Sequence, residues 1–579
     1  MSSASNLSSF IWSVADLLRG SYRQSDYGKV ILPFTVLRRL DCILEPTKDK
    51  VLEEFKKRTA EGVDPTPFLT RIAKNSFYNS SPLDLNKALA QPTQIKANLL
   101  SYINGFSSNV GDIFEKYEFD DQLDKLANAD LLFLVAKKFS EIDLHPNQVS
   151  NADMGLIFEE LIRKFAELSN ETAGEHFTPR EVIRLMVDLL FHGDNEALSK
   201  PGVIRTLYDP TAGTGGMLSI AEEYLTGPNG LNPDATLIVS GQELNPESYA
   251  ICKGDMLIKG QDVSNIKFGD TLKNDGHAGA KFDYGLSNPP FGVEWKKAEK
   301  EVKDEHERLG FAGRFGPGLP RISDGSLLFL LHLISKMREP EKGGGRIAIV
   351  LNGSPLFTGG ACSGESEIRK WVIEQDLLET IIGLPTDMFY NTGISTYIWI
   401  LSNHKVEKRK GKIQLIDASG FFQKMRKNLG SKRKELGDTD IEKIIKLYST
   451  FEKNEYSKIF DFKKFGYTTI TVERPLRDEE GKIVLSTKGK TKGKPQSDSN
   501  LRDTENVPLK ESVEEYFKRE VIPYAPDAWI DHEKTKIGYE IPFNRYFYVT
   551  KPPRPLTEID SELKETTNKI LEMIKGLSA

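Results

Sequence analysis

The sequence predicts an α/β protein in three parts: a helical N-terminal domain, a doubly wound Rossmann-like domain and a C-terminal helical tail. Three observations carry this. Apolar residues recur at helical spacing through the first 170 positions, with no strand alternation. From Arg205 to Leu401 short apolar runs alternate with amphipathic helical stretches, as strands joined by crossover helices do. From Leu556 to Leu577 apolar residues return on one helical face, after a break at Pro552, Pro553 and Pro555.

In the N-terminal part, Phe10, Ile11, Val14, Leu17 and Leu18 begin the helical pattern, and Val30–Leu44 and Ala129–Phe139 continue it. Strands are predicted at Arg205–Tyr208, Thr236–Gly241, Asn265–Phe268, Tyr284–Ser287, Arg346–Leu351, Leu378–Gly383 and Thr396–Leu401. Helices fall between them, for example Leu218–Leu225, Pro246–Ile258 and Ser326–Met337. In such a sheet ligands bind beyond the carboxyl ends of the strands. Residues 402–450 read as basic and partly helical. Glu473 to Lys510 is polar, with Lys488, Lys490, Lys492 and Lys494 among Gly and Thr, and reads as a mobile loop or linker. In the tail, Leu556, Ile559, Leu563, Ile570, Leu571, Ile574 and Leu577 can form one stripe, which either packs on its own domain or seats on a partner subunit.

A chain of 579 residues has room for two to four domains. Its formal charge of −6 argues against a protein that grips nucleic acid alone through phosphates. Any such surface is local, or a partner supplies it. Cys42, Cys252 and Cys362 are scattered, which suggests neither a disulfide framework nor a zinc site and fits a reducing cytoplasm. The start lacks a basic-then-apolar signal pattern, and the longest apolar stretch, Leu327–Ile334, is too short to span a bilayer.

Five motifs carry chemistry. Asp209-Pro210-Thr211-Ala212-Gly213-Thr214-Gly215-Gly216 joins a strand to a helix. Its glycines let a ligand approach the backbone, and the helix start offers N–H groups to a carboxylate. It is no Walker A, and Leu218 stands where a dinucleotide fingerprint needs its third glycine. Glu243 follows the next strand, where an acid can hold both hydroxyls of a ribose; alone it would be a surface residue. Asp270 ends the third strand, suited to an adenine amino group or to a helix cap. Asn288-Pro289-Pro290-Phe291 leaves the fourth strand stiffly, because neither proline can extend a ladder. An Asn side-chain oxygen beside a Pro carbonyl offers two acceptors to one amino group, and an aromatic beyond them can stack on a base. A structural turn is the plainer reading of any Pro-Pro pair. Upstream, Glu175-His176-Phe177-Thr178-Pro179-Arg180 precedes a helix, with Thr178 as expected cap and Pro179 as first helical residue. His176 has no Cys or His at ligand spacing, so no metal is expected.

In this order the motifs resemble the S-adenosylmethionine-dependent adenine-N6 DNA methyltransferases, and more narrowly the modification subunits (HsdM) of type I restriction-modification systems. Ala15-Asp16-Leu17-Leu18-Arg19-Gly20, Met154-Gly155-Leu156-Ile157-Phe158-Glu159, Arg321-Ile322-Ser323-Asp324-Gly325, Gly383-Leu384-Pro385-Thr386-Asp387-Met388-Phe389 and the run Gly538–Tyr548 are further family-like segments. With the residue pattern, the resemblance implies a helical N-terminal domain (1–165), a methyltransferase catalytic domain (166–475) and a C-terminal segment with a partner-binding helix (511–579); the flexible loop or linker between them (476–510) is read from its composition and has no counterpart in the family. It implies S-adenosylmethionine as cofactor, held by Glu175, His176, Phe177, Thr178, Pro179, Arg180, Asp209, Thr211, Ala212, Gly213, Gly215, Glu243 and Asp270. Asn288, Pro289, Pro290 and Phe291 would act on the target adenine. His176 departs from the aromatic residue many relatives carry. The implied partners are double-stranded DNA, a specificity subunit, a second modification subunit and a restriction subunit. Two rivals remain open: a methyltransferase acting on a protein glutamine, and a cofactor-binding scaffold without catalysis. Gly292 to Pro320 is expected either to order over DNA, with Trp295, Phe311 or Phe315 making contacts, or to be a solvated insertion.

Overall fold

Helical spacing in the first third becomes a run of short helices that starts with Ser3–Trp12 and Val14–Leu18 and ends with Asn151–Ser169. Ile11, Val14 and Leu18 of the first predicted pattern are fully buried. The computed structural model describes residues 3–169, 178–194, 198–227, 230–259, 261–390, 392–487, 492–548 and 554–577. Glu175, His176 and Phe177 therefore lie outside the described residues, as do Lys488 and Lys490.

The next part begins with β1 (Ile204–Asp209), β2 (Thr236–Glu243), β3 (Ile266–Phe268), β4 (Tyr284–Ser287), β5 (Arg346–Asn352), β6 (Leu378–Gly383), β7 (Thr396–Ser402) and β8 (Lys412–Asp417). A two-stranded ribbon of β9 (Gln423–Leu429) and β10 (Lys432–Glu435) comes before β11 (Ser457–Asp461). All but the ribbon join one nine-stranded sheet, in the order β11-β8-β6-β7-β5-β4-β1-β2-β3. The chain runs outward through β1, β2 and β3, then returns to place β4 parallel to β1. This reversal opens a crevice at the carboxyl ends of β1 and β4. β5 continues parallel to β4, and β7 runs antiparallel between β5 and β6. β4 and β6 are buried along their whole length, as strands covered on both faces must be.

The region expected to be basic and partly helical thus holds three further strands, β8, β9 and β10, besides the helix Asp438–Thr450. The expected linker is also structured differently. Within 476–510, β13 (Asp503–Pro508) pairs with β12 (Gly466–Glu473), which in turn pairs with β14 (Trp529–Tyr539). The stretch before β13 is bridged on itself at Pro475–Ser497, Arg477–Ile483 and Leu485–Pro495. β14 lies in the C-terminal segment, before the helix expected at Leu556–Leu577.

No packing break marks the expected boundary near residue 165. One apolar core runs from Ile11 through Phe34 and Phe139 to Leu218, Met256 and Leu286. Polar anchors reinforce it. The Arg39 guanidinium, wholly buried, donates to Val149 O at 2.7 Å and Asn151 Oδ1 at 2.6 Å. Asp112 accepts from Tyr249 Oη at 3.0 Å and pairs with the buried Lys253, on the helix after β2. The chain parts instead after Ile541. The second unit, from Pro542, contains the helices Phe543–Phe547 and Leu556–Leu577. On the latter, Leu556, Leu563, Ile570 and Leu571 expose half of their surface or more. Among the described residues no helix is long and apolar enough to cross a membrane.

Candidate active site

At the β1/β4 crevice lies a cavity of about 530 Å3, within the range of small-molecule sites. Of the residues singled out in the sequence, it is lined by Thr178, Asp209, Thr211, Ala212, Gly213, Glu243, Asp270, Asn288 and Pro290. Four separate strand ends thus converge on one space.

The glycine loop is shaped by its backbone. Gly213 (φ +55°) and Gly215 (φ +83°) adopt left-handed conformations that other residues disfavour. A Cβ on Gly213 would meet nothing within 4 Å, so this glycine keeps its side clear for a ligand. Gly215 has another reason. Its Cβ would come within 2.9 Å of Cys252 Sγ, and it does not line the cavity. Its expected place in cofactor binding therefore becomes helix packing. The loop is tied to its neighbours by Ala212 N–H donating to Gln242 O at 3.0 Å and Thr271 Oγ1 donating to Pro210 O at 2.6 Å.

Glu243 locks the loop to β2. Its Oε2 accepts from Gly213 N–H and its Oε1 from Asn245 N–H, both at 2.7 Å. Burial pushes its carboxyl up from the ordinary range, and amides of Asn245, Gly213 and Leu244 pull it back. Each carboxylate oxygen has two lone pairs, so both retain capacity toward ligand hydroxyls. Asp270 accepts from Leu272 N–H at 3.0 Å and so caps its turn while lining the cavity.

Asp209 is 1% exposed. Its Oδ1 accepts from Thr211 N–H at 2.9 Å, and Thr211 Oγ1 also meets Ser287 Oγ at 2.8 Å, linking β1 to β4. Burial, aided by the charge of Glu243, raises the Asp209 carboxyl from 3.8 to about 7 against the pull of Thr211. The folded state then holds this proton more tightly than the unfolded chain. The resulting stabilisation is full below about pH 3.8 and is lost as pH rises through about 7, on the order of 4 kcal/mol at most. Asp209→Asn keeps the acceptor and discards the charge. Thermal unfolding measured from pH 4 to 8 is expected to lose this component in the variant, leaving it the more stable form at pH 8. Parallel curves would refute the assignment.

Asn288, 8% exposed, donates through Nδ2 to Thr178 Oγ1 at 2.8 Å. That bond fixes the amide plane and makes Oδ1 the acceptor on its other arm. Thr178 is thus a partner of Asn288 and not the expected helix cap. Pro179 occupies the cap position, without a side-chain cap, and is not the first helical residue; the helix Arg180–His192 starts at Arg180 as expected. Neither Pro179 nor Arg180 lines the cavity.

Phe291 differs from its expected setting. It is 7% exposed, packs edge-on against Phe389 with ring centroids 6.3 Å apart, and does not line the cavity. Pro289 does not line it either; Phe329, from the helix Ser326–Ser335, does. Trp295 and Phe315 are buried too, while Phe311 is 72% exposed. The excursion after Asn288 is neither a solvated loop nor wholly a DNA-facing one. It carries the helix Glu299–Leu309, and its Arg314, paired with Glu305 at 2.6 Å, donates to Thr271 O at 2.7 Å and Leu272 O at 3.0 Å. It clamps the turn that presents Asp270. Sequence reasoning also missed Ile183, Leu244, Asn245, Ser248 and Thr271 as lining residues. One signal was present: Asn245 before Pro246 is a helix start, and Asn245 Oδ1 does accept from Ser248 N–H at 2.9 Å.

Comparison with known proteins identifies the family. The profile of the N-6 DNA methylase family matches residues 149–472, and that of the HsdM N-terminal domain matches residues 7–139. The chain is 28% identical over 464 residues to the type I restriction enzyme MjaIX methylase subunit of Methanocaldococcus jannaschii, covering 77% of each. It is 27% identical over 530 residues to the MpnII methylase subunit of Mycoplasma pneumoniae, covering 83% of this chain and 90% of that one. The crystal structure of a type I restriction-modification methyltransferase subunit from Streptococcus thermophilus superposes with a TM-score of 0.62 at 26% identity, covering 80% of this chain and 97% of that one. The cofactor of such enzymes is S-adenosylmethionine, and the open side of Gly213, the two acids and the cavity volume fit it. The chain therefore belongs to the N-6 DNA methylase family and, within it, to the HsdM methyltransferase subunits of type I restriction-modification systems.

Proposed function

We propose that the chain methylates adenine N6 in double-stranded DNA with the β1/β4 cavity as its active site, and that it does so as part of a larger complex in the cytoplasm. The observation that supports the site is the convergence of Gly213, Glu243, Asp270 and Asn288 on one cavity. The loop Asp209–Gly213 and Thr178 border the cofactor, Glu243 accepts from its ribose hydroxyls, and Asp270 accepts from its adenine amine. The family resemblance assigns Glu175, His176 and Phe177 to the cofactor as well. Bound S-adenosylmethionine supplies a methyl group already activated on a sulfonium.

The chain's task is to make a poor nucleophile competent. The lone pair of an adenine amine is delocalised into its ring. Asn288 Oδ1 and the Pro289 carbonyl accept its two hydrogens, draw the lone pair out of conjugation and aim it at the cavity. Pro290 stiffens the turn that holds these acceptors. The gain is positioning plus preorganised electrostatics. No base is needed beforehand, because the methylated cationic amine gives up its proton readily. Phe291 reaches a flipped base only if it leaves Phe389; otherwise it serves as the wall behind the turn.

The exposed apolar stripe of Leu556–Leu577 supports a seat for a specificity subunit, which reads the DNA sequence. Two copies of this chain flank that subunit, and a restriction subunit joins them. Co-expression with the specificity subunit tests this. Native mass spectrometry is expected to give two methyltransferase chains per specificity chain, and the complex to place label from the cofactor on adenine N6. Sequence-specific methylation at full rate by this chain alone, or label on protein glutamine, would contradict it.

A further inference from the structure

The family match ends at residue 472, one position before the end of β12. Between β12 and β13 the chain then inserts an arm, whose described residues are 474–487 and 492–502. Three short segments interlock within it. Leu476 N–H donates to Gln496 O at 2.8 Å, Val484 N–H to Leu476 O at 2.9 Å, and Gln496 N–H to Val484 O at 2.9 Å. At its root Arg474 and Arg477 both grip Asp527, each at 3.0 Å. The arm is thus a built element, fastened to the small sheet.

The arm carries acids at Asp478, Glu479, Glu480 and Asp498, and its lysines gather between them. From Lys482 to Lys494 the sequence has five lysines and no acid, in a chain whose net charge is −6. Lys482 is paired with Glu480. Lys492 and Lys494 are exposed, and among the described residues no acid pairs with either. Unpaired cations held out on a fastened arm need a polyanion to gain anything from being there.

The small sheet that carries the arm is tied to helices that follow β5. β5 is parallel to β4, so its end at Asn352 opens on the same edge of the sheet as Asn288. The helix Ser354–Phe357 and the helix Gly364–Glu374 come next in the chain, and the small sheet is fastened to them. Ile541 N–H donates to Leu356 O at 2.8 Å, Tyr539 N–H to Ser366 Oγ at 3.0 Å, and Arg369 Nε to Tyr539 O at 2.6 Å. From that fastening, where Gly466 pairs with Tyr539, β12 runs eight residues to the root of the arm. That is about 23 Å at strand rise, or about seven base pairs of duplex axis.

We propose that Lys492 and Lys494 bind the phosphate backbone of duplex DNA several base pairs to one side of the target adenine. This rests on the reading of the β1/β4 cavity as a DNA methylation site. The arm reads no sequence. It gives an acidic chain a local, sequence-independent hold on the substrate.

The test uses the complex of this chain with its specificity subunit. DNA affinity is measured between 50 and 200 mM salt for the parent, for Lys492→Glu/Lys494→Glu, and for Lys492→Arg/Lys494→Arg. Each phosphate contact contributes about 0.9 to the slope of log affinity against log salt. The Glu variant is expected to have a slope smaller by about 1.8, so that its affinity falls about twelvefold less than the parent's across that fourfold change in salt. The Arg variant keeps the parent's slope. Cofactor affinity and thermal midpoint stay at parent values in both, since neither lysine touches the cavity. An unchanged slope in a Glu variant that still methylates adenine would overturn the arm alone. So would loss of the specificity subunit from the variant complex, which would mark the arm as a protein contact. A parent complex that fails to methylate adenine would overturn the site reading, and the arm with it.

Discussion

Asn288→Ala is expected to lower methyl transfer by about 10²–10³-fold while leaving cofactor affinity within a few-fold of the parent. The asymmetry follows from what the side chain holds. Asn288 sits at the mouth of β4, buried, with its amide plane set by the bond from Nδ2 to Thr178 Oγ1. The substitution removes the side-chain acceptor assigned to the target amine and leaves the Pro289 carbonyl to work alone. The loop at Gly213 and the acids at Glu243 and Asp270 keep their own anchors, none of which involves Asn288. Thr178→Val should fall between the two, since it retains the acceptor but releases its orientation. Single-turnover methylation with saturating cofactor, alongside calorimetry, separates the two effects. Near-parent turnover in Asn288→Ala would remove this residue from the chemistry.

Gly213→Val is expected to weaken cofactor binding at least a hundredfold, with the fold retained. Two costs add. A β-branched residue at φ +55° is strained, by about 1–3 kcal/mol. Its side chain would also stand in the open space that this glycine borders, where nothing now lies within 4 Å of a Cβ. Because that space is empty of protein, the substitution displaces no core atom. Gly215→Val is the contrasting case. Its Cβ would press on Cys252 Sγ inside the packing of two helices, so the variant should lose stability before it loses affinity. Calorimetry with the cofactor and thermal unfolding of both variants distinguish these outcomes. Unchanged affinity in Gly213→Val would dissociate the loop from the cofactor.

The parallel half of the central sheet was legible because most of its strands are short apolar runs followed by helices. β9 was not, since Gln423–Leu429 is almost wholly exposed and its polar, basic residues carry no apolar alternation. Strand direction was not legible either. β7 reads like its neighbours, and only its pairing with β5 and β6 shows it to be antiparallel. The strand-end residues that line the cavity were legible because their position follows from the topology. The errors came from tertiary packing. Phe291 has the sequence context of a stacking ring but is buried against Phe389, about a hundred residues away. Arg314 holds the Asp270 turn across more than forty residues, a contact with no local pattern. The arm at 474–502 looked like a linker because its polar composition hides the backbone pairing that orders it.

The most direct measurement is a structure of the assembled complex with duplex DNA and a non-reactive S-adenosylmethionine analogue. The expected result is an everted adenine with its exocyclic nitrogen hydrogen-bonded to Asn288 Oδ1 and the Pro289 carbonyl, facing the sulfur of an analogue seated over Gly213. An analogue bound elsewhere, or an adenine held by other residues while residues 288–291 stay clear of it, would contradict the account.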